Sequence, residues 1–270
     1  MAKKPNALKG LETAVTGLIK KAQEEAVFSE YKFKFRASGL PFCPRELVID
    51  RLIKEENRVG SLMDYGFAFY VGIGTAVHEV IQRYLGMVKG LYGNWTCCGY
   101  TELEREGSKE CPVCGEPQHY DEFKMSFGDS SAYADGVWLR HNAVWEFKTY
   151  GVDKVDDLTE PKDAHLQQAS CYVELLNEAR GWNIDKIIFV YLARDNPRKF
   201  KVLVVPPIKN MYSTVLKEYR EAQKMAEAKI LPKRVCESPT DGDFMNCGYS
   251  GICFSPDLDK MLIPVESLVR

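Results

Sequence analysis

The stretch Ser131-Ala-Tyr-Ala-Asp-Gly-Val-Trp-Leu-Arg-His-Asn-Ala-Val-Trp-Glu-Phe-Lys-Thr149 decides how the rest of the chain is read. Two short apolar-rich runs flank Arg140-His141-Asn142, a pattern that predicts two strands joined by a turn. Asp135 falls on the first strand, and Glu146 and Lys148 fall on the second. Residues two apart share one face of a sheet, so Glu146 and Lys148 point the same way. On an ordinary antiparallel hairpin they would be the solvated face. The alternative is a divalent-cation site. Two carboxylates suit Mg²⁺ or Mn²⁺, hard ions that prefer oxygen, and the carbonyl of Phe147 could supply another oxygen. A lysine beside them can orient or deprotonate an attacking water, or steady charge on a phosphate.

The flanks carry a resemblance. Upstream lies Gly74-Thr75-Ala76-Val77-His78, and downstream lies His165-Leu166-Gln167-Gln168-Ala169-Ser170-Cys171-Tyr172, which contains Gln168-x3-Tyr172. With Asp135 and Glu146-Phe147-Lys148 between them, these resemble, in order, the motifs of the PD-(D/E)XK nuclease superfamily and its RecB-like branch. The likeness runs roughly from Cys43 to Cys253. It implies an α/β fold of restriction-endonuclease type, with an αβββαβ core around a mixed central sheet and extra helices at both ends. It also implies that His78 adds a nitrogen ligand to the cation, and that Gln168 and Tyr172 hold Lys148 or touch DNA. Read without the family, Gln168 and Tyr172 are ordinary residues of an amphipathic helix, and His78 is a packed core histidine.

At 270 residues the chain can bury a full core. Hydrophobic residues make up 45% and charged residues 27%, as in ordinary soluble domains. No apolar run approaches the length that spans a bilayer, and Met-Ala-Lys-Lys-Pro-Asn is not a signal peptide. A cytoplasmic protein without membrane partners is expected, of bacterial, archaeal or phage type. The net charge of −2 argues against a generally basic nucleic-acid coat. Phosphate binding would have to come from patches such as Tyr31-Lys32-Phe33-Lys34-Phe35-Arg36. As a strand that run places its three cations on one side, which suits a backbone-tracking groove or a plain amphipathic edge.

Along the chain, helices are expected over 7–28, from Pro44 to Glu56, and from Gly74 to Leu91. Residues 61–73 read as loop. Residues 92–118 hold four cysteines and little apolar periodicity, and read as an inserted metal-bound loop within a single domain over 1–270. Strands are expected near 120–127, 132–139 and 142–149, followed by a polar loop over 150–160 and a helix from Asp163 to Glu178. The run Ile184–Leu192 reads as a central buried strand. Another strand, Phe200–Val205, precedes a long helix, Ile208–Lys229, and a looped tail.

Nine cysteines in a chain expected in a reducing compartment point to metal rather than disulfides. Cys111-Pro-Val-Cys114-Gly has the form of a zinc knuckle. Its partner half, Cys97-Cys98, is irregular because the two are adjacent, so His119 is a possible replacement ligand. Zn²⁺ there would be structural, since a closed tetrahedral site has no open position for chemistry. The second group is Cys43, Cys236, Cys247 and Cys253. It resembles the iron–sulfur nucleases of the same branch, the CRISPR-associated members and the AddB subunit, in which one N-terminal and three C-terminal cysteines hold a [4Fe–4S] cluster. The Cys236-x10-Cys247 spacing is longer than the family's, and zinc is the runner-up ion. Region 231–256 would then be stapled to Cys43. Cys171 belongs to neither group and reads as a buried small residue.

The expectation is a Mg²⁺- or Mn²⁺-dependent deoxyribonuclease, acting on single-stranded DNA or free ends in recombination, repair or DNA processing. Its partners would be DNA and a helicase, recombinase or single-strand-binding protein. A structure-specific endonuclease is the nearest alternative. A non-catalytic DNA-binding subunit and a redox-sensing regulator are others. The absence of a GxxxxGK[ST] segment argues against ATPase activity.

Overall fold

A computed structural model describes residues 13–18, 21, 28–30, 32–62, 65–196, 198–239, 247–264 and 267–268. In chain order its strands are β1 (Phe28–Glu30), β2 (Gly60–Leu62), β3 (Tyr92–Cys97), β4 (Tyr100–Glu106), β5 (His119–Asp121), β6 (Phe123–Phe127), β7 (Ser130–Ala134), β8 (Gly136–Trp138), β9 (Ala143–Tyr150), β10 (Lys186–Ala193), β11 (Phe200–Val205), β12 (Ile230–Leu231) and β13 (Ser267–Leu268). The α-helices are α1 (Pro44–Leu52), α2 (Tyr65–Met87), α3 (Val152–Asp157), α4 (Asp163–Arg180), α5 (Met211–Glu227), α6 (Ser250–Cys253) and α7 (Leu258–Met261).

The near-continuous apolar run at 187–193 forms the middle of a sheet because both of its faces are covered. The sheet has the order β11-β10-β9-β8. β10 runs parallel to β9, with Ile187 beside Val144 and Phe189 beside Glu146, and antiparallel to β11. Parallel neighbours need a crossover, and α4 lies in the β9–β10 connection. One face of the sheet carries Val144, Ile187, Phe189 and Tyr191 into a core shared with α1, α4 and α5. The other carries Trp145, Phe147 and Ile188 against Leu91 and Trp95, with Ile81 and Leu85 of α2 closing over them. The fold is α/β, and the expected order of helix, strands, helix, strand is present.

Several expectations change. Of the expected loop over 61–73, residues 61–62 are strand, and α2 starts at Tyr65 and continues through the glycines to Met87. No proline interrupts that run, and glycine's weak helix propensity is overridden by packing on the sheet. At Gly74 the helix comes close to β9, where a Cβ would stand 3.8 Å from Thr149 Oγ1. The expected strand at 120–127 is broken at Glu122, and that at 132–139 is broken at Asp135, so β6 and β7 form their own two-stranded sheet. Residues 152–157 of the expected polar loop are helical. The insertion is not a loop but a three-stranded ribbon, β4-β3-β5. Ribbon pairing is a backbone property and needs no apolar alternation to hold it.

Of the expected helix over 7–28, residues 13–18 and 21 are helical, while Phe28 is not helical but opens β1; the others, Leu8, Leu11 and Ile19 among them, lie outside the described residues. The basic alternation at 32–36 belongs to no strand: Lys32, Lys34 and Arg36 are exposed, while Phe35 is buried and stacks on Tyr219 at 4.0 Å between centroids. This is the bland amphipathic reading of that run. Among the described residues no helix is long and apolar enough to cross a membrane.

Candidate active site

Asp135 sits where the chain leaves one sheet for another. β7 ends at Ala134 and β8 begins at Gly136. A Cβ at Gly136 would meet Leu91 Cδ2 at 2.4 Å, so any side chain there would have to displace the buried Leu91. The freed Asp135 carboxylate replaces a ladder partner: its Oδ2 accepts the Phe147 N–H at 2.6 Å. In a strand a residue's N–H and C=O point to the same edge, so the Phe147 carbonyl faces that edge too. The other oxygen, Oδ1, lies 3.3 Å from His78 Nδ1. The His78 ring packs edge-on against the Phe147 ring at 5.6 Å, which places the histidine over the end of β9.

Glu146 and Lys148 project from β9 toward α4, as their two-residue spacing requires. Lys148 Nζ donates to Glu146 Oε1 at 2.5 Å and to Gln168 Oε1 at 3.3 Å. Gln168 Nε2 in turn donates to the Tyr172 hydroxyl at 2.7 Å. The four-residue spacing on α4 therefore makes one chain of contacts that ends on the lysine. All of the residues singled out for the catalytic centre are gathered at one place.

The electrostatics follow from burial. Glu146 is 1% exposed, and burial raises its carboxyl to about 7 against the pull of Lys148. Burial would lower Lys148, but Glu146 and Asp135 outweigh it and keep the ammonium charged. Burial likewise disfavours charged His78, but the hydrogen bond to Asp135 and the negative charges of Asp135 and Glu146 together outweigh it, so its pKa rises. Glu146 Oε2 is buried and has no hydrogen-bond partner. An orphaned carboxylate oxygen in a dry site costs several kcal/mol unless something positive meets it. The oxygen and nitrogen donors around it suit a Mg²⁺ or Mn²⁺ ion.

Two residues here escaped the sequence reading. Gln82, on α2 one turn beyond His78, is buried and gives its amide both to Glu122 Oε1 at 2.7 Å and to Asp135 O at 2.8 Å. Glu122 lies at the break between β5 and β6, where burial raises its pKa and Asp135 adds to the rise. The i, i+4 spacing from His78 was a usable signal for Gln82. Nothing flagged Glu122, because Phe123, Met125 and Phe127 give β6 a regular alternation that leaves residue 122 on the solvent parity. Beside Lys148, His165 contacts the hydroxyls of Tyr191 at 3.1 Å and Tyr150 at 3.4 Å. Burial, Lys148 and Lys162 push His165 down to about 3, so it is neutral.

The cysteines occupy two further places. Cys97, Cys98, Cys111 and Cys114 bring their sulfurs within 4.8 Å of one another, a group that could hold a metal ion. Adjacent cysteines reach one centre because Cys98 takes the left-handed conformation at φ +42, followed by Gly99 at φ +84. His119 is not part of the group; it sits on β5 opposite Thr96. The buried Cys111 is brought down to about 7, where the N–H groups of Val113 and Cys114 outweigh burial. Cys43, Cys236, Cys247 and Cys253 line a second cavity together with Arg45, Glu46 and Arg234. Burial lifts Cys43 to about 12, partly opposed by the N–H groups of Glu46 and Arg45 at the start of α1. Part of the long spacing between Cys236 and Cys247, 240–246, lies outside the described residues. Cys171 is buried and apart from both groups.

No family model matches the chain, and no curated protein matches it. Among solved structures it is similar to the crystal structure of SSO0001, with 18% sequence identity and a TM-score of 0.43 over 89% of this chain and 96% of that chain; a likeness of this size carries no functional weight.

Proposed function

We propose that the chain is a metal-dependent nuclease that hydrolyses DNA phosphodiesters, most readily at single-stranded or free ends. The observation that carries this is Glu146 Oε2, a fully buried carboxylate oxygen without a partner, set beside Asp135, His78 and a charged lysine. Lys148 engages Oε1 and leaves Oε2 to meet a cation. Asp135, Glu146, His78 and the Phe147 carbonyl would hold Mg²⁺ or Mn²⁺. When bound, such an ion lowers the pKa of a coordinated water and offsets charge on the phosphate.

The protein's own groups do the rest. Lys148 keeps its ammonium at the phosphate side of the site and orients the attacking oxygen or the developing charge. Gln168 fixes the lysine's head, and Tyr172 fixes the orientation of the Gln168 amide. Asp135, held through the Phe147 N–H, keeps His78 turned toward the site. At the ribbon, the four close sulfurs suit a structural Zn²⁺. At the second cavity, four cysteines brought from both ends of the chain around a buried guanidinium suit an iron–sulfur cluster, in keeping with the family likeness.

The test is direct. Protein purified without oxygen is incubated with 5′- or 3′-labelled single-stranded and duplex DNA and Mn²⁺ or Mg²⁺, alongside Asp135→Ala and Lys148→Ala. Shortening by the wild type alone is the expected result. If wild type and variants bind DNA and all leave it intact, the chain is a binding subunit and the proposal fails.

A further inference from the structure

Arg45 is an arginine in the wrong place for an ordinary surface cation. It is 3% exposed, on the first turn of α1, two residues after Cys43. Its Nε donates to Cys253 Sγ at 3.2 Å, and its Nη1 donates to the Pro232 carbonyl. Arg45, Cys43, Cys236, Cys247 and Cys253 line the same cavity. A guanidinium cannot give up its charge, so burying it is costly unless anions gather around it. A neutral thiol is a weak acceptor; a thiolate bound to metal is a strong one, and the contact makes sense only for the latter. Glu46, the next residue, lines the cavity too, with its carboxylate accepting the Gly248 N–H at 3.3 Å. A positive and a negative group therefore flank the four sulfurs.

We infer that Arg45 is a positioning and tuning residue for an iron–sulfur cluster on Cys43, Cys236, Cys247 and Cys253: it orients the Cys253 sulfur for ligation and raises the cluster's reduction potential, while Glu46 opposes it. This rests on the cluster reading given above and adds what no motif assigns, a role for the charge beside it. The redox step is a one-electron transfer from a reductant such as dithionite into the cluster. No bond to Arg45 forms or breaks, and the guanidinium stabilises the additional negative charge of the reduced state by Coulomb attraction and by its hydrogen bond to sulfur. The bond to the Pro232 carbonyl ties the same group to the segment that leads to Cys236. Cys253 and Cys236 are thus presented to the cavity by one side chain.

The experiment uses the full chain, purified anaerobically, with iron, sulfide and zinc measured alongside DNA cleavage in the same preparation. Arg45→Gln is expected to make the cluster harder to reduce, by at least tenfold in the reduction equilibrium, about 59 mV for one electron. Arg45→Lys, which keeps the charge without the planar fork, should fall between it and wild type. Glu46→Gln should shift the potential the opposite way. Should Arg45→Gln not fold, Arg234→Gln protein carrying guanidino-¹⁵N-arginine answers the question: electron–nuclear double resonance of the reduced cluster should show a coupled arginine nitrogen with Arg45 as the remaining cavity arginine. Unchanged potentials in the variants, or no coupled nitrogen, overturn the role of Arg45. Zinc in place of iron overturns the inference while leaving the nuclease proposal to be judged by the cleavage measured in that preparation.

Discussion

At the scale of single residues, the site is governed by carboxylates held where water cannot solvate them. Glu146, raised to about 7 by burial, is protonated below that pH and then offers a cation no charged oxygen. Binding must displace the proton, so Mn²⁺ affinity is expected to rise about tenfold per pH unit up to pH 7 and to level off above it. The raised pKa of His78 adds a second proton to be displaced and steepens the acid side. Isothermal titration in buffers of different ionisation enthalpy counts the released protons directly; affinity independent of pH between about 6 and 8 would contradict this. Gln82 supplies a second prediction. Its one amide nitrogen grips both Glu122 and the Asp135 carbonyl. Gln82→Leu keeps the bulk and removes the donor, leaving two acceptors unsatisfied at about 1–3 kcal/mol each. Turnover is expected to fall about 10–100-fold, as for other groups that orient metal ligands, with little change in KM for DNA. Loss of DNA affinity alone, at normal kcat and normal Mn²⁺ binding, would show that Gln82 does not act through Asp135.

At the scale of elements, the cysteine ribbon is fastened to the core through Trp95, with Tyr92 and Tyr120 packed against the core as well. Trp95 of β3 is fully buried, donates its indole N–H to the Arg105 carbonyl at 3.0 Å, and presses on α2 where Gly86 leaves room. A Cβ at Gly86 would stand 2.4 Å from Trp95 Cη2. Gly86→Ala should therefore destabilise by about 1–3 kcal/mol through overpacking, against a helix-propensity gain of at most about 1 kcal/mol. Chemical denaturation measures the net sign, and a stabilised variant would mean that Trp95 moves freely. Removing a ribbon ligand is a different perturbation. Cys111→Ser should release one zinc per chain and open 97–117 to protease while the remainder stays folded; retention of zinc and of protease resistance would disprove it. The elements show what a sequence exposes and what it hides. β9, β10 and α4 were legible because each is long, periodic and buried on a known face. Fixed spacings on regular elements gave the directions of Gln168, Tyr172, Glu146 and Lys148, but picking out Gln168 and Tyr172 as site residues rested on the resemblance. Glu122 and the break at Asp135 were not legible, because a strand that changes sheets keeps its alternation and loses only its partner. The ribbon's strands were hidden because its order comes from backbone pairing, with few large apolar anchors beyond Trp95, Tyr92 and Tyr120.

At the scale of the whole molecule, the two ends of the chain meet over the core. Ile53 pairs with Leu262, Lys54 N–H donates to the Met261 carbonyl at 3.0 Å, and the Tyr249 hydroxyl donates to Asp50 at 2.8 Å. Cys43 joins the same seam from the start of α1, facing Cys236, Cys247 and Cys253 across the second cavity. On an unfolded chain, holding positions 43 and 236 together, about 190 residues apart, costs on the order of 5 kcal/mol of entropy. That is comparable to the entire stability of a typical domain, about 5–15 kcal/mol. A metal centre shared by these cysteines would offset the cost, acting as a staple. Cys43→Ser is therefore expected to lower the melting temperature of the whole protein and to remove the chromophore, in addition to lowering turnover. Cys114→Ser, at the other metal group, serves as the contrast: it should leave the main unfolding transition in place and alter only the ribbon. On this proposal the two centres would divide the labour: one would order a local insertion, and the other would close the loop from Cys43 to Cys236. If Cys43→Ser keeps both the iron–sulfur absorbance and the melting temperature, the seam is held without the metal by Ile53, Lys54 and the Tyr249–Asp50 contact, together with the buried Leu47, Val48, Ile49 and Leu52 of α1.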